Sequence, residues 1–355
     1  MVNDEILDSE EAVRGLDRSG MLSVVSRLPE MIGQAERFSA GISLSAPGKI
    51  SQVMVLGLGG SAIAGDIASD VLFKRAKVPI LTNRQYTLPE FVGPETFIFA
   101  LSYSGETEEV LSAVKEAERR GSKVVCITSG GKLKEIAENK KHPLFLIPTG
   151  YQPRAALPFM LIPLLTALEK VGMVPPLAPE IKEAITLLSK LRDEFGTARP
   201  ARINAVKQFA RKLMGKIPII FGSSGTTGAA ALRFKTQLNE NSKLTAHVSL
   251  FPELDHNEIV NLAALKRDEH DFFLIVLRDE DDGERVKKRI EITKSILSRQ
   301  LGGFSEIVSQ GKSPLARVFS LIMFGDFVSV YLAVLRGIDP TPVEAIARLK
   351  KEMTR

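Results

Sequence analysis

Short apolar runs alternate with longer amphipathic segments along most of the 355-residue chain. After a helix-like stretch, "SQVMVL" (51–56) leads through a glycine-rich turn into a helical pattern. Further short apolar runs follow, separated by helix-like segments, at 78–83, 96–102, 123–129 and 143–149. This alternation is typical of a parallel sheet covered by helices on both faces. The pattern predicts an α/β, doubly wound, flavodoxin-like fold.

A second unit repeats the opening of the first. An apolar helix is predicted at 156–172, and the proline-rich "GMVPPLAPE" (172–180) then ends the first unit. "KIPIIFGSSGTTGAAALRF" is again strand, turn and helix, with later apolar runs at 243–250, 271–278 and 304–310, so two related α/β units are expected. The expected divisions are an N-terminal helical segment (1–45), a first domain (46–175), a connecting helix (176–200) and a second domain with a C-terminal helix (201–355).

The chain's length and charge agree with a two-domain protein that binds small molecules. At roughly 150 residues per domain, 355 residues predict two domains. The net charge is +5, but basic and acidic residues are interleaved, so no nucleic-acid partner is expected. The single cysteine, Cys126, has no internal disulfide partner, and the N-terminus is too acidic for a signal peptide. These features predict a cytoplasmic protein.

One segment is apolar enough to resemble a membrane span. It is "VFSLIMFGDFVSVYLAVL" (318–335), which contains Asp326 and has no comparable segment elsewhere in the chain. A charged residue inside a lone apolar stretch favours a helix buried in a protein core or interface. No membrane partner is expected.

The first glycine turn, "VMVLGLGGSA" (53–62), permits two interpretations. Gly57, Gly59 and Ala62 match the G-x-G-x-x-A pattern of dinucleotide-binding folds. That fold also needs an acid after the second strand, where this chain has "NRQY" (83–86). Alternatively, Gly60 and Ser61 form an anion cradle at the positive end of the following helix.

A second hydroxyl-rich turn, "LSYSGETEE" (101–109), follows the third predicted strand. Ser102, Ser104 and Thr107 are candidate donors to a phosphate at the carboxyl edge of the sheet, where ligands of such folds collect. The acids after them suit the first turn of a helix. A plain helix cap remains an alternative, whereas a nucleophilic serine is disfavoured because the stretch is not G-x-S-x-G.

Several motifs together resemble a known family. "GLGGSAIAGD" and "LSYSGETEEV" resemble the sugar isomerase (SIS) domain, which binds phosphosugars. "GYQPRAALPF" (150–159), "LNENSK" (238–243), "LDHNE" (254–258) and "DPTPVEAIARLK" (339–350) resemble the bifunctional phosphoglucose/phosphomannose isomerases of archaea and some bacteria. The resemblance runs in order over about residues 45–355.

The resemblance implies two SIS domains and a cofactor-free aldose–ketose isomerase. Such an enzyme interconverts glucose 6-phosphate or mannose 6-phosphate with fructose 6-phosphate, and it is a homodimer with its active site at the interface. The phosphate is assigned to five residues, namely Gly60, Ser61, Ser102, Ser104 and Thr107. A phosphosugar-sensing regulator without catalysis and an aminosugar phosphate isomerase remain alternatives.

The family's catalytic roles transfer to four residues, with a fifth as a weaker candidate. Glu240 in "NENSK" is the expected base, and His256 in "LDHNE", entering from the partner subunit, the expected ring-opening group. Arg154 in "QPR" is the expected stabiliser of the enediolate. Lys350 is expected to contact the sugar, although Lys351 beside it leaves the register open, and Thr341 is the weaker candidate for shaping the space around C2. The four histidines and one cysteine show no metal-ligand spacing, so no metal is expected.

Overall fold

The computed structural model describes residues 4–44, 48–265, 271–298, 300–301 and 303–353. The strands are β1 (Gln52–Leu56), β2 (Ile80–Asn83), β3 (Thr96–Ser102), β4 (Lys123–Thr128), β5 (Leu144–Leu146), β6 (Ile217–Ser223), β7 (His247–Phe251), β8 (Phe272–Arg278) and β9 (Phe304–Val308). The helices are α1 (Glu10–Leu16), α2 (Met21–Ser26), α3 (Leu28–Ala40), α4 (Gly59–Leu72), α5 (Glu108–Arg119), α6 (Gly131–Lys140), α7 (Leu157–Lys170), α8 (Ala178–Phe195), α9 (Ala205–Lys212), α10 (Gly228–Glu240), α11 (Glu258–Ala264), α12 (Glu284–Leu297), α13 (Pro314–Leu335) and α14 (Glu344–Met353).

Two parallel sheets organise the chain. The first has the strand order β2-β1-β3-β4-β5 and the second the order β7-β6-β8-β9. Every pairing in both sheets is parallel, as the alternating pattern predicted. The shared order, in which the first strand of each unit lies between the second and third, supports the predicted duplication. The α/β, doubly wound prediction is confirmed.

The strand and helix patterns explain how each layer forms. All seven residues of β3 are buried, because helices cover both faces of the sheet. Helix α5 instead buries one stripe, formed by Val110, Ala113, Val114 and Ala117, and leaves its charged face in water. The stripe packs against the sheet through residues three and four positions apart.

Helix α13 is the apolar segment singled out in the sequence. By length and composition it could cross a membrane, but 89% of its apolar window is buried inside the protein. It packs against α8, α9 and α10. Its N-cap residue is Ser313, whose hydroxyl accepts a hydrogen bond from the amide of Ala316 at 3.3 Å. The prediction of a buried core helix is therefore confirmed.

The segment expected to connect the two units is part of the core. Helix α8 buries five residues and packs against α3 and α13. The N-terminal helices also contact the second half of the chain, because Asp8 accepts from Lys207 Nζ at 2.9 Å and from the amide of Ala201 at 2.7 Å. One continuous apolar cluster includes residues from both sheets and from the N-terminal helices.

Helices α4 and α10 pack against each other between the two units. Asp70, near the end of α4, accepts a hydrogen bond from the amide of Ala229 in the first turn of α10, at 2.8 Å. A carboxylate suits this position, since the N-terminal amides of a helix are unpaired and carry partial positive charge. Asp70 thus joins the first unit to the glycine turn of the second.

Candidate active site

The first glycine turn is closely packed on both sides. A Cβ at Gly57 would lie 3.0 Å from the amide nitrogen of Ala62, so this glycine allows the strand and the following helix to pack tightly. A Cβ at Gly60 would lie 2.9 Å from the carbonyl oxygen of Pro153 and 3.1 Å from Cα of Arg154. Gly60 therefore allows the loop carrying Arg154 to approach the turn, a contact that the sequence did not reveal.

The start of α4 leaves backbone amides without a side-chain partner. Its N-cap residue is Leu58, which has no side-chain acceptor. Ser61 lies in the first turn of this helix and is buried. The helix N-terminus therefore offers unpaired amides, the positive end of its dipole and the Ser61 hydroxyl. These groups together can bind an anion.

The second turn brings two predicted hydroxyls together. Ser102 Oγ and Thr107 Oγ1 are 2.8 Å apart, and the amide of Gly105 donates to Ser102 Oγ at 3.1 Å. Exposed Ser104 accepts from the amide of Glu106 at 3.2 Å. Thr107 is the N-cap residue of α5, yet its hydroxyl makes no capping hydrogen bond. The plain helix-cap interpretation is therefore wrong for Thr107, and the first amides of α5 stay open to an anion.

Both turns lie at the same edge of the first sheet. Strands β1 and β3 are hydrogen-bonded neighbours, with Leu56 opposite Ala100. From β1 the chain continues to β2 on one side of this pair, and from β3 it continues to β4 on the other side. Ligands of open α/β sheets bind in the crevice between two strands whose connections diverge in this way. The structure therefore brings the turn at 57–61 and the turn at 102–107 together at the carboxyl ends of adjacent strands.

Tyr103 links the second turn to the loop that leads to Arg154. Its hydroxyl donates to the carbonyl oxygen of Pro148 at 3.1 Å and accepts from the amide of Tyr151 at 2.8 Å. A short 3-10 helix, Pro153–Ala155, then follows and carries Arg154. The loop is thus held between the two hydroxyl-rich turns.

Arg154 is buried, with only 3% of its surface exposed, and each nitrogen of its guanidinium has at least one hydrogen-bond acceptor. Nε donates to Asn241 Oδ1 at 2.7 Å, while Nη2 donates to the carbonyl oxygens of Pro340 and Thr341, each at 2.9 Å. Nη1 points to Glu240 Oε2 at 3.4 Å. These contacts hold the guanidinium inside the protein rather than in a surface ion pair.

Burial and two neighbouring charges shift the pKa of Arg154. Burial lowers the pKa of the Arg154 guanidinium because it disfavours the charged form, and nearby Arg233 lowers it as well. The carboxylate of Glu240 raises it. Glu240 ends α10 and keeps 27% of its side chain exposed, so its carboxylate faces both the guanidinium and the open side of the site.

The turn after Glu240 is shaped by Lys243, which the sequence did not single out. Lys243 has a positive φ of 52°, and its Nζ donates to the carbonyl oxygens of Glu240 at 2.9 Å and Pro340 at 3.1 Å. Because residues 241–246 form this turn, the strand expected from 243 begins only at His247. Asn241 and Lys243 both belong to "NENSK", so that motif was the available signal for them.

Thr341 lies on the same loop and is 7% exposed. Its carbonyl oxygen accepts from Arg154, whereas its buried hydroxyl has no hydrogen-bond partner. This places the weaker sequence candidate directly against the Arg154 guanidinium. The loop continues into α14, on which Lys350 is exposed.

One predicted catalytic residue, His256, forms no hydrogen bond to this cluster in the described part of the chain. His256 ends a short 3-10 helix after β7, is exposed, and its side chain has no hydrogen bond or ion pair within the described part of the chain. Asp255, its neighbour in the chain, does not bond to it. The Asp255 carboxylate instead accepts from Thr293 Oγ1 at 2.8 Å and from Arg289 Nη1 at 3.1 Å.

The dinucleotide interpretation receives no support from the residues after β2. Asn83 Nδ2 donates to the carbonyl oxygens of Gln85 and Thr87, and Arg84 pairs with Asp66 on α4. Asn83 therefore stabilises the turn itself, and Arg84 connects the turn to α4. In residues 4–44, 48–265, 271–298, 300–301 and 303–353, no group of three or more His, Cys, Asp or Glu is arranged to hold a metal ion.

Family models match both halves of the chain. The SIS domain model matches residues 49–148, and the model described as the bacterial phospho-glucose isomerase C-terminal SIS domain matches residues 202–353. Among solved structures, the glucose-6-phosphate isomerase like protein from Thermus thermophilus aligns with a TM-score of 0.64 and 19% identity, covering 95% of this chain and 98% of that chain. This likeness supports the fold.

Curated relatives extend over nearly the whole chain. The bifunctional phosphoglucose/phosphomannose isomerase of Caldicellulosiruptor bescii is 43% identical over 334 residues, which cover 94% of this chain and 98% of the relative. The D-glucosamine-6-phosphate 4-epimerase of Sulfolobus acidocaldarius is 30% identical, covering 89% of this chain and 94% of the relative. With the paired SIS domains and the Arg154–Glu240 cluster, the chain belongs to the bifunctional phosphoglucose/phosphomannose isomerase family of SIS proteins.

Proposed function

We propose that this protein interconverts glucose 6-phosphate and mannose 6-phosphate with fructose 6-phosphate by proton transfer, without a metal. The observation that carries the proposal is the buried Arg154 guanidinium, which lies beside the glycine turn and 3.4 Å from the partly exposed Glu240 carboxylate. A carboxylate next to a fixed cation supplies both a base and a stabiliser for the negative charge that proton removal creates.

The sugar phosphate binds through its phosphate at the two turns. The open amides at the starts of α4 and α5, with the hydroxyls of Ser61, Ser102, Ser104 and Thr107, supply neutral donors to the dianion. Helix N-termini favour bound anions, and charge-assisted hydrogen bonds are stronger than neutral ones. Gly60 keeps the Arg154 loop against this cradle, which sets the distance from the phosphate to the reacting carbons.

Proton transfer follows ring opening. His256 exchanges a proton with the ring oxygen, and Glu240 then removes the proton from C2 of the open aldose. The C–H electron pair moves into a C1–C2 double bond, and the carbonyl π electrons pass to oxygen, giving an enediolate beside Arg154. The hydroxyl proton of O2 then passes to O1, and return of the carbon-bound proton to C1, with O2 becoming the carbonyl oxygen, gives the ketose. Return to either face of C2 gives glucose or mannose 6-phosphate, and buried Thr341 shapes that space while Lys350 contacts the sugar.

The direct test is to supply fructose 6-phosphate alone and measure the hexose phosphates formed. Glucose 6-phosphate and mannose 6-phosphate are both expected, each detected by its own coupled assay. Neither ammonia nor glutamine is added, so a reaction that needs a nitrogen donor does not proceed. Absence of both products at high enzyme concentration would refute the proposal.

The epimerase relative supports an aminosugar phosphate as a second candidate substrate. Inversion at C4 acts on a different carbon, so its product is a C4 epimer of the aminosugar. Incubation with glucosamine 6-phosphate and resolution of the products by NMR separates the candidates. An aminosugar epimer together with inert fructose 6-phosphate would favour the second candidate.

We also propose a homodimer in which His256 of one subunit completes the site of the other. Two features support it: His256 is exposed and apart from Glu240, and α14 buries none of its residues. The apolar positions Ile346, Leu349 and Met353 lie three and four residues apart on that helix and are exposed. An apolar stripe of this kind is typical of a helix that packs against another surface.

Subunit complementation tests shared sites. Glu240→Gln and His256→Ala homodimers are each expected to be inactive, but exchange of subunits creates heterodimers with one intact site. Random exchange at equal amounts restores about a quarter of wild-type activity, because half of the dimers are mixed and half of their sites are intact. If both residues act within one chain, mixing restores nothing. Light scattering provides the oligomeric state independently.

We propose a reducing, cytoplasmic setting and the domain boundaries given by the sequence. Cys126 is buried in β4, and burial raises the pKa of its thiol to about 12, so it is an inert core residue. The two family matches, 49–148 and 202–353, fall within the expected domains 46–175 and 201–355. Limited proteolysis with mass spectrometry checks these boundaries.

A further inference from the structure

Helix α13 contributes two polar groups to the surroundings of Arg154. Asp326 and Ser329 lie three residues apart on this mostly apolar helix and are both buried. Ser329 Oγ donates to the carbonyl oxygen of Asp326 at 2.7 Å and accepts from Asn241 Nδ2 at 2.9 Å. Asn241 Oδ1 in turn accepts from Arg154 Nε at 2.7 Å.

A second path joins the same helix to the backbone of Arg154. The Asp326 carboxylate accepts from Arg233 Nη2 at 2.7 Å and from Arg233 Nε at 3.1 Å. Arg233 Nη2 also donates to the carbonyl oxygen of Arg154 at 3.0 Å. The hydrogen bonds therefore form a closed ring that begins at the side chain of Arg154 and ends at its main chain.

The donors and acceptors along the hydrogen bonds from Arg154 through Asn241 to Ser329 can be assigned in only one way. A guanidinium can only donate, so the oxygen of the Asn241 amide must face Arg154 and its nitrogen must face Ser329. The hydroxyl hydrogen of Ser329 is then left for the Asp326 carbonyl. Asn241 is fully buried, so loss of the Ser329 hydroxyl leaves its amide without this partner.

We propose that Ser329, acting through Asn241, and Asp326, acting through Arg233, are positioning residues that hold Arg154 against the substrate site. This role explains why Asp326 and Ser329 occur in a helix that is, by length and composition, apolar enough to cross a membrane. The catalytic part of the proposal rests on the role proposed above for Arg154. The holding of Arg154 is a separate property and can be measured separately.

The chain offers a matched pair of serines for the test. Ser320 lies on the same helix, is buried, and donates to the carbonyl oxygen three residues before it, as Ser329 does. It also accepts one further hydrogen bond, from the amide of Gln310 at 2.8 Å. Ser329→Ala and Ser320→Ala therefore remove the same group from the same helix, but only Ser329 connects to Arg154.

The first measurement is the rate at which phenylglyoxal modifies Arg154, followed by peptide mass spectrometry in the full-length protein. Ser329→Ala is expected to increase this rate about tenfold over Ser320→Ala, because a guanidinium that loses its hydrogen bonds becomes accessible. Thermal unfolding is measured on both variants, and a similar loss of stability is expected. Equal modification rates in the two folded variants overturn the proposal, whatever the enzyme's substrate.

The second measurement is turnover of fructose 6-phosphate. Ser329→Ala is expected to lower kcat about tenfold or more, with little change in KM, because a small misplacement of a catalytic group slows chemistry more than binding. In an Arg154→Gln background it should add no further loss, since the arginine it positions is absent. An active wild type in which Ser329→Ala and Ser320→Ala have the same kcat overturns the proposal. Faster modification with an inactive wild type instead contradicts the proposed function and leaves the holding of Arg154 standing.

Discussion

The guanidinium of Arg154 lies 3.4 Å from the carboxylate of Glu240, although 86 residues separate them in the chain. The arginine comes from a short helix after the first sheet, and the glutamate ends the first helix after β6. The proposed base and the proposed oxyanion stabiliser therefore come from different units. Packing between those units determines their distance.

Replacement of Glu240 by glutamine should abolish most activity while leaving the fold intact. Glutamine keeps the size and the acceptor oxygen facing Arg154, but it cannot take a proton from carbon. We expect kcat for fructose 6-phosphate to fall by at least ~100-fold, a typical acid–base contribution. Glu138→Gln, an exposed glutamate of α6 beside Lys134, is the control and should keep full activity. Wild-type turnover by Glu240→Gln would remove this residue from the mechanism.

Replacement of Ser104 by alanine should weaken binding more than chemistry. Ser104 is exposed in the second turn and is proposed to donate to the substrate phosphate, which does not react. KM should therefore rise by more than kcat falls. Ser189→Ala on α8, whose hydroxyl bonds to the Ile185 carbonyl, is the control. Complete loss of turnover with unchanged binding of inorganic phosphate would instead assign Ser104 a chemical role.

Asp70 should make stability depend on pH. Burial is the main cause that raises the pKa of Asp70 to about 6, with Asp66 adding to it, while hydrogen bonds from the amides of Ala229 and Gly225 oppose the shift. The native protein thus retains a proton that the unfolded chain has lost above about pH 4. The resulting stabilisation is present below about pH 4 and is lost as pH rises through 6.

The Asp70→Asn variant tests this dependence. Between pH 4 and 7 the wild type should lose on the order of 2 kcal/mol of unfolding free energy relative to the variant. Urea unfolding at several pH values measures the difference, with Asp193→Asn as the control because Asp193 is exposed on α8. Parallel pH profiles for wild type and Asp70→Asn would show that this carboxyl titrates at its ordinary pKa.

Chelation should leave activity intact. The proposed chemistry uses a carboxylate, an imidazole and a guanidinium, and the residues that the structure describes include no cluster of metal-ligating side chains. We expect full turnover of fructose 6-phosphate after prolonged dialysis against EDTA. Inhibition that is reversed by an added divalent cation would contradict the metal-free mechanism.

Much of the fold is visible in the order of apolar runs. The apolar runs that form β1 and β3 each end at a turn. A helix follows each turn, as the connection between parallel strands requires. The two strand–turn–helix openings were sufficient to predict two sheets with the same connection. The buried position of α13 also followed from Asp326, because a lone charge within an apolar segment requires a protein partner.

The pattern alone did not locate the start of β7. The run from 243 reads as a strand, yet Lys243 adopts a positive φ and bonds to carbonyl groups of two separate segments. Such contacts depend on where the Pro340 loop lies. A local pattern contains no information about that distance.

The sequence by itself determined the α/β class, the two glycine turns and, through its motifs, the identity of the candidate site residues. Only the tertiary structure decided which of them meet. It placed Arg154 against Gly60, Glu240 and Asn241, and it placed His256 elsewhere. It also connected Arg154 to Ser329 and Asp326 on the buried helix α13. The physical reason is that hydrogen bonds and burial depend on distances in space, and segments far apart in the chain acquire those distances only when the two sheets pack together.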